Sequence, residues 1–485
     1  MQNRIYDTAK HTLIYGIGNI SSKIIGLLLL PLYTAKLSVL NYGKYAILEV
    51  TGQFLVMLVG LNLYSAMLRW CSEADSEENR KTIISTAFLA LLAVIVLFCA
   101  VAMPGAPLLS RLYFETQDLT VYFIILFAGV AFEVINIIPL SILRFQEKSQ
   151  LYIILVVGRL CLTLCLNIVF LSALNMGIRG IFLSNLIAHV VLFMISLPVL
   201  LKNINYRFNL PLFYEMIKYS IPLIFTSISV LLLSFGDRFI IKYYLPYSEV
   251  GIYSLAYKLA GVINVFVIQS FALGYLPIAY KMLNDPAAKT FYRKIFRYYS
   301  FVLIFTTLAI SLFAREVLEI IARNEEYWIA GAIVPVLAIT FVFKGIQYIF
   351  ALGFHYVKQT KYNAYIVLSG VVINIMLNFL LIPVWGLWGA AITTLFSTLV
   401  ITVLMYRFSQ KKYFVSYEIK KFLLCLAAGI CLFIFSFAGT DFNIIARISF
   451  KIILLCLFPL LLVLFRIIHK SEWQQMKKIL QERRK

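Results

Sequence analysis

The sequence predicts an all-α polytopic membrane protein, and three observations carry that prediction. The first is composition: of 485 residues, 62% are hydrophobic and 13% charged, with a mean hydropathy of +0.90. A water-soluble fold of this length would leave much of that apolar surface facing water, so lipid must be the solvent for most of the chain. The second is periodicity: a window of about 19 residues finds about fourteen apolar runs long enough to span a bilayer. The third is the placement of basic residues in short blocks between those runs.

In chain order the spans are expected at about 12–38, 45–68, 83–104, 119–143, 151–173, 179–201 and 217–243, then at about 250–277, 297–318, 329–354, 362–383, 386–406, 420–438 and 445–468. An even number puts both termini on one side. With the N-terminus inside, cytoplasmic segments hold about 29 Lys and Arg residues and outer loops about nine, the bias that sets membrane orientation. The richest inner segments are KMLNDPAAKTFYRKIFR (281–297), RFSQKKYFVSYEIKK (407–421) and HKSEWQQMKKILQERRK (469–485). The last reads as a basic amphipathic tail on the inner leaflet. Both termini are therefore expected to be cytoplasmic.

The chain repeats itself. NYGKYAIL (41–48) corresponds to EVGIYSLA (249–256), each carrying Gly-x-Tyr. LNIVFLSALNMGIRGIFLSNL (166–186) corresponds to LNFLLIPVWGLWGAAITTL (377–395), each running from Leu-Asn through an apolar stretch to Gly-x-x-Gly. Six spans per repeat give the two copies one orientation, hence two parallel six-helix bundles. The expected divisions are 1–208 and 209–412 for the bundles, 413–468 for two additional spans, and 469–485 for the tail.

Composition also excludes functions. The net charge of +21 lies in loop blocks without interleaved stacking aromatics, so nucleic acid is not the expected partner. The seven cysteines lie in or beside apolar runs and are expected as free thiols. No metal-spaced His/Cys set, Walker loop or nucleophile motif occurs, so neither a metal nor a cofactor is expected. No loop is long enough for an extramembrane catalytic lobe.

The segments TLIYGIGNISSKIIGLLLLPLYTAKLSVLNYGKYAIL (12–48), GDRFIIKYYLPYSEVGIYSLAYKLAG (236–261), FALGYLPIAYKM (271–282) and NIMLNFLLIPVWGLWGAAITTL (374–395) resemble those of polysaccharide biosynthesis flippases. These are the Wzx-like, lipid-linked oligosaccharide exporters of the multidrug/oligosaccharidyl-lipid/polysaccharide superfamily. The resemblance implies a MATE-like pair of bundles in a bacterial inner membrane. It also implies a flippase for polyprenyl-diphosphate oligosaccharides serving O-antigen, capsule or exopolysaccharide assembly. Implied partners are that lipid-linked glycan, membrane lipids, and the polysaccharide polymerase and glycosyltransferases of the pathway. By similarity to the peptidoglycan-precursor branch, the last two spans could form a groove for the lipid tail. That branch carries an arginine beside an acidic residue in its first helix, where this chain has Ser22-Lys23. The departure argues against the peptidoglycan precursor as cargo.

Charges inside the spans supply the candidate site. At 1.5 Å per residue, Lys23 lies roughly 17 Å from the inner end of the first span. Arg159, Lys258 and Lys344 are the other candidate cavity cations, and Glu49 and Glu133 the candidate counter-ions or coupling groups. Asp237 joins that acidic group, but its neighbour Arg238 points about 100° away on a helix, so direct pairing is not expected to be automatic. Lys451, nearer a boundary, is expected to snorkel. His189 is expected as a hydrogen-bonded packing residue. Tyr42, Tyr45, Tyr243, Tyr253, Trp328 and Trp385 are expected as interfacial anchors. Four cations against two carboxylates leave an excess that suits an anion, and a diphosphate accepts charge-assisted hydrogen bonds from Lys and Arg. The leading expectation is therefore a flippase working by alternating access. A cation- or proton-coupled drug exporter should favour acidic cavity residues, and a membrane polymerase or glycosyltransferase should carry a large outer loop or an acidic catalytic motif.

Overall fold

A computed structural model of the chain describes residues 26–464, apart from 284, 358, 360 and 440–442. The described chain is helical throughout its spans. In order, the helices are α1 (Leu30–Lys36), α2 (Val39–Gly60), α3 (Leu63–Glu73), α4 (Glu77–Phe114), α5 (Thr120–Ile135) and α6 (Ile137–Phe145). Next come α7 (Ser149–Ile168), α8 (Gly177–Lys202), α9 (Leu210–Phe235), α10 (Asp237–Tyr244), α11 (Tyr247–Ala260) and α12 (Ser270–Lys281). The series ends with α13 (Ala288–Ile321), α14 (Ala330–Phe350), α15 (Leu352–Tyr356), α16 (Lys361–Lys412), α17 (Ile419–Phe435) and α18 (Ile444–Leu464).

Among the described residues, 12 continuous helical runs are long and apolar enough to cross a membrane. The 52-residue α16 is two spans in one run, because Gly386 interrupts it with φ 56° and ψ −132°. With most of the first expected span lying outside the described residues, this agrees with about fourteen. In hydrocarbon, helices satisfy every backbone group internally, which is why the apolar runs take this form.

Local chemistry sets the helix ends. Ser38 and Ser76 accept backbone N–H bonds from Asn41 and Asn79 at 3.3 and 3.1 Å, capping α2 and α4. Asn209 does the same for α9 at 3.1 Å, with Pro211 in the first turn. Leu61 and Asn62 take left-handed backbone angles and divide α2 from α3. The repeat has a conformational counterpart: Gly177 and Gly386, which correspond in the two copies, have φ of 57° and 56°. A side chain would be strained at either position. Asn167 and Asn378, the Leu-Asn residues of the same motif, are both fully buried.

By contacts the chain divides into two compact units. Unit 1 takes the described residues up to Ser254, with Ile321–Tyr327 and Val371–Ala390. Unit 2 takes Leu255–Ile320, Trp328–Gly370 and the chain from Ala391 onward. In unit 1, α5 packs between α4 and α8, and α7 lies along α8. There α9 packs on α2 and α3, although the repeat assigns it to the second copy. The repeat is a symmetry of sequence and the units are a partition of contacts, so their boundaries differ.

In unit 2, α18 is fastened to α13 by charge. Lys451 Nζ lies 2.6 Å from Glu316 Oε1, and Arg447 reaches Glu316 at 3.0 Å and Glu319 at 3.2 Å. Lys451 therefore does not snorkel. It is buried with a carboxylate partner, because α13 supplies Glu316 at the same level.

Candidate functional site

Three consecutive runs place a polar residue near their midpoints: Glu133 in 120–145, Arg159 in 149–173 and His189 in 177–202. The packing of α5 and α7 on α8 brings the three side chains together within unit 1. Arg159 Nη1 lies 3.1 Å from His189 Nε2. Glu133 Oε2 lies 3.7 Å from the same nitrogen. The imidazole is 8% exposed, whereas 50% of the Glu133 side chain is accessible. A carboxylate at that depth is stable only against a wet or protein-lined space, so the accessible face of the cluster marks where a polar ligand could reach it. Asn136, at the junction of α5 and α6, fixes the backbone beside the ring by donating to the His189 carbonyl at 2.9 Å. His189 is therefore a partner of the candidate cation as well as a packing residue.

Asp237 and Arg238 form a second buried group in unit 1. Their side chains meet at 2.8 Å although the residues are adjacent. Adjacent Cβ atoms on a helix point about 100° apart, and Gly236 keeps helical angles (φ −63°, ψ −29°) before α10; the long, flexible Arg238 side chain bridges that angle to reach the carboxylate. Tyr253 donates to Asp237 Oδ2 at 2.5 Å, and Arg238 donates to the Ser234 carbonyl at 3.0 Å. The guanidinium also lies over the rings of Phe235 and Tyr253, at 4.9 and 5.5 Å. Both charged residues are 2% exposed. This pairing makes Asp237 a structural counter-ion of Arg238. The Tyr45 hydroxyl similarly donates to Glu49 Oε1 at 2.9 Å.

Tyr45 and Tyr253 are the tyrosines of the repeated Gly-x-Tyr motif, and both are buried with Tyr42. They are not interfacial anchors, because their helices cross too tightly to leave the rings outside. A Cβ on Gly43 would fall within 1.7 Å of the Tyr247 carbonyl oxygen, and one on Gly251 within 2.5 Å of the Val39 carbonyl oxygen. The repeat-related glycines thus face each other across the α2–α11 crossing. Nearby, Tyr327 donates to the Leu37 carbonyl at 3.1 Å and meets Tyr42 edge-on at 5.8 Å. Thr34 donates to the Ile321 carbonyl at 2.9 Å. By contrast, Tyr243 and Trp385 are exposed, as an anchor requires.

Unit 2 holds the candidate cations Lys258 and Lys344. Lys344 Nζ donates to the Tyr257 hydroxyl at 3.1 Å and lies 5.3 Å from the Phe341 ring centroid. Its hydrogen-bond partner is neutral. Lys258 follows Tyr257 on α11 and is half-buried. Lys23 lies outside the described residues.

The structure thus joins Arg159 with Glu133 through His189, and joins Asp237 with Arg238. Charge counting in the sequence missed the Asp237–Arg238 pairing. It also left His189 out of the candidate set, although His189 stands at mid-span like Arg159. That shared depth is a signal that could have found it.

The protein-family model described as "Polysaccharide biosynthesis protein" matches residues 8–283. The capsular polysaccharide biosynthesis protein CapF of Staphylococcus aureus is 29% identical over 216 residues, covering 43% of this chain and 53% of CapF. The chain thus spans about half the length of that relative. Among solved structures, the lipid II flippase MurJ in an inward closed conformation matches with a TM-score of 0.76 at 18% identity. That match covers 94% of this chain and 99% of MurJ. An inward-facing multidrug resistance MATE family transporter matches with a TM-score of 0.64 at 16% identity, covering 81% and 93%. These likenesses establish the fold.

Proposed function

Because the chain belongs to the polysaccharide biosynthesis protein family, we propose that it flips polyprenyl-diphosphate-linked oligosaccharide units. The direction is from the inner to the outer leaflet of a bacterial inner membrane, for O-antigen, capsule or exopolysaccharide assembly. The observation that carries this reading is the state of the mid-span cations. Arg159 is hydrogen-bonded by an imidazole and Lys344 by a phenol hydroxyl. A diphosphate offers oxygens that accept charge-assisted hydrogen bonds from groups of either kind. Lys258 and Lys23 belong to the same proposed set. Glu49 is assigned to Tyr45, and Asp237 to the structural pair with Arg238.

In this proposal the protein works by alternating access, with the orientation given by the basic loops. The α2–α11 glycine crossing then lies at the outer face. The polymerase and glycosyltransferases of the same pathway are the proposed functional partners. One observation favours a second reading: the accessible Glu133 carboxylate would suit a cationic cargo, as in a drug exporter.

Deletion in the native host, followed by side-specific labelling of lipid-linked sugars, separates these. Accumulation on the cytoplasmic face supports flipping. Normal export, with a gain in sensitivity to cationic drugs, supports the exporter instead.

A further inference from the structure

One imidazole nitrogen of His189 serves two groups of opposite charge. Nε2 stands 3.1 Å from Arg159 Nη1 and 3.7 Å from Glu133 Oε2. Nδ1 is buried and has no hydrogen-bond partner among the described residues. A guanidinium only donates, so Nε2 must accept from Arg159, which makes the ring neutral with its proton on Nδ1. In that state the cluster holds one positive and one negative charge.

We infer that His189 is a proton-operated latch on Arg159, linking proton uptake to the binding of an anionic headgroup. The inference rests on the anion-binding role proposed above for Arg159. A proton added to the Nε2 lone pair abolishes the acceptor that Arg159 uses. Nε2–H then donates to Glu133, and the imidazolium repels the guanidinium. The Arg159 N–H groups are released to phosphate oxygens, and the cluster gains one positive charge as the anion arrives. No other bond is made or broken.

The groups around the ring are few. The α5 helix contributes Glu133 and the α7 helix Arg159. Arg144 of α6 is turned to the rings of Tyr64 and Tyr152 and to Ser141 Oγ. On α2, Glu49 is occupied by Tyr45 and Lys44 lies over Phe114. The π-helical turn Val169–Ala173 that follows α7 carries no titratable side chain. The switch is therefore confined to three residues.

Linkage is reciprocal: the anion raises the proton affinity of His189 by the factor by which the proton raises anion affinity. Proton and anion thus travel together, so an inward proton gradient does not drive export through this group.

The test uses purified full-length protein in a weakly buffered solution with a pH-indicator dye, titrated with inorganic pyrophosphate and with farnesyl diphosphate. The wild type is expected to take up as much as one proton per bound anion at pH values between the proton affinities of the ring without and with the anion. Anion affinity should tighten by up to about tenfold per pH unit on acidification within that range. The His189→Gln variant should bind the anion with the ligand's own proton exchange alone, its amide oxygen replacing the acceptor. Binding by wild type with the same proton uptake as His189→Gln overturns the latch and leaves the anion site standing. Failure of wild type to bind either anion overturns both readings. Should His189→Gln fold poorly, His189→Asn makes the same comparison.

Discussion

Gly43 and Gly251 meet across the α2–α11 crossing so closely that a Cβ on Gly251 would lie 3.4 Å from Gly43 Cα and 3.1 Å from its nitrogen. The two residues occupy corresponding positions in the sequence repeat, so the copies touch at equivalent points. Leucine at either position should separate the helices at a cost of about 1–3 kcal/mol. The expected outcome is lower thermal stability of Gly43→Leu and Gly251→Leu in detergent. Wild-type melting of both would show that the crossing opens without strain.

The Asp237–Arg238 pair should behave as a buried ion pair whose loss exposes an unbalanced charge. Asp237→Asn leaves Arg238 without its carboxylate and is expected to cost about 3–5 kcal/mol. Tyr253→Phe removes a single hydrogen bond to the carboxylate and should cost about 1.5–3 kcal/mol. Denaturation of the purified variants checks that order. A larger loss in Tyr253→Phe than in Asp237→Asn would contradict it.

At the α13–α18 junction the two partners of Glu316 differ in what their removal leaves behind. Lys451→Met leaves Glu316 paired with Arg447, whereas Glu316→Gln leaves Lys451 buried without a carboxylate. Glu316→Gln should therefore be the more destabilising change, by an amount within the roughly 3–5 kcal/mol range for breaking a buried pair. Protease sensitivity between α17 and α18 provides the readout, with earlier cleavage expected in Glu316→Gln.

The sequence made the spans legible because hydrocarbon demands long apolar runs, and among the described residues each such run is a helix. The repeat was legible for a related reason. Gly177 and Gly386 require the same positive φ, and the motif preserves them in both copies. Side-chain partnerships were less accessible. The 100° rule for adjacent helical residues does not forbid the Asp237–Arg238 pair, because it describes Cβ directions and the long arginine side chain spans the difference. Tyr42, Tyr45 and Tyr253 stand near span ends in sequence, where rings commonly meet the interface, but the glycine crossing draws them inside. His189 was assigned to packing because its partners come from two neighbouring helices, and no local pattern records which faces those helices turn toward it.

Arg159 carries the central claim, since its guanidinium is the mid-span cation held by a neutral acceptor beside an accessible carboxylate. The direct measurement is the leaflet distribution of lipid-linked oligosaccharide in a deletion strain complemented with wild type, Arg159→Lys or Arg159→Gln at matched membrane abundance. Wild type should restore the outer-leaflet pool and Arg159→Lys part of it, while Arg159→Gln should lower it at least about tenfold, as expected for losing a charge-assisted contact of roughly 1.5–3 kcal/mol. Full restoration by Arg159→Gln would contradict the account.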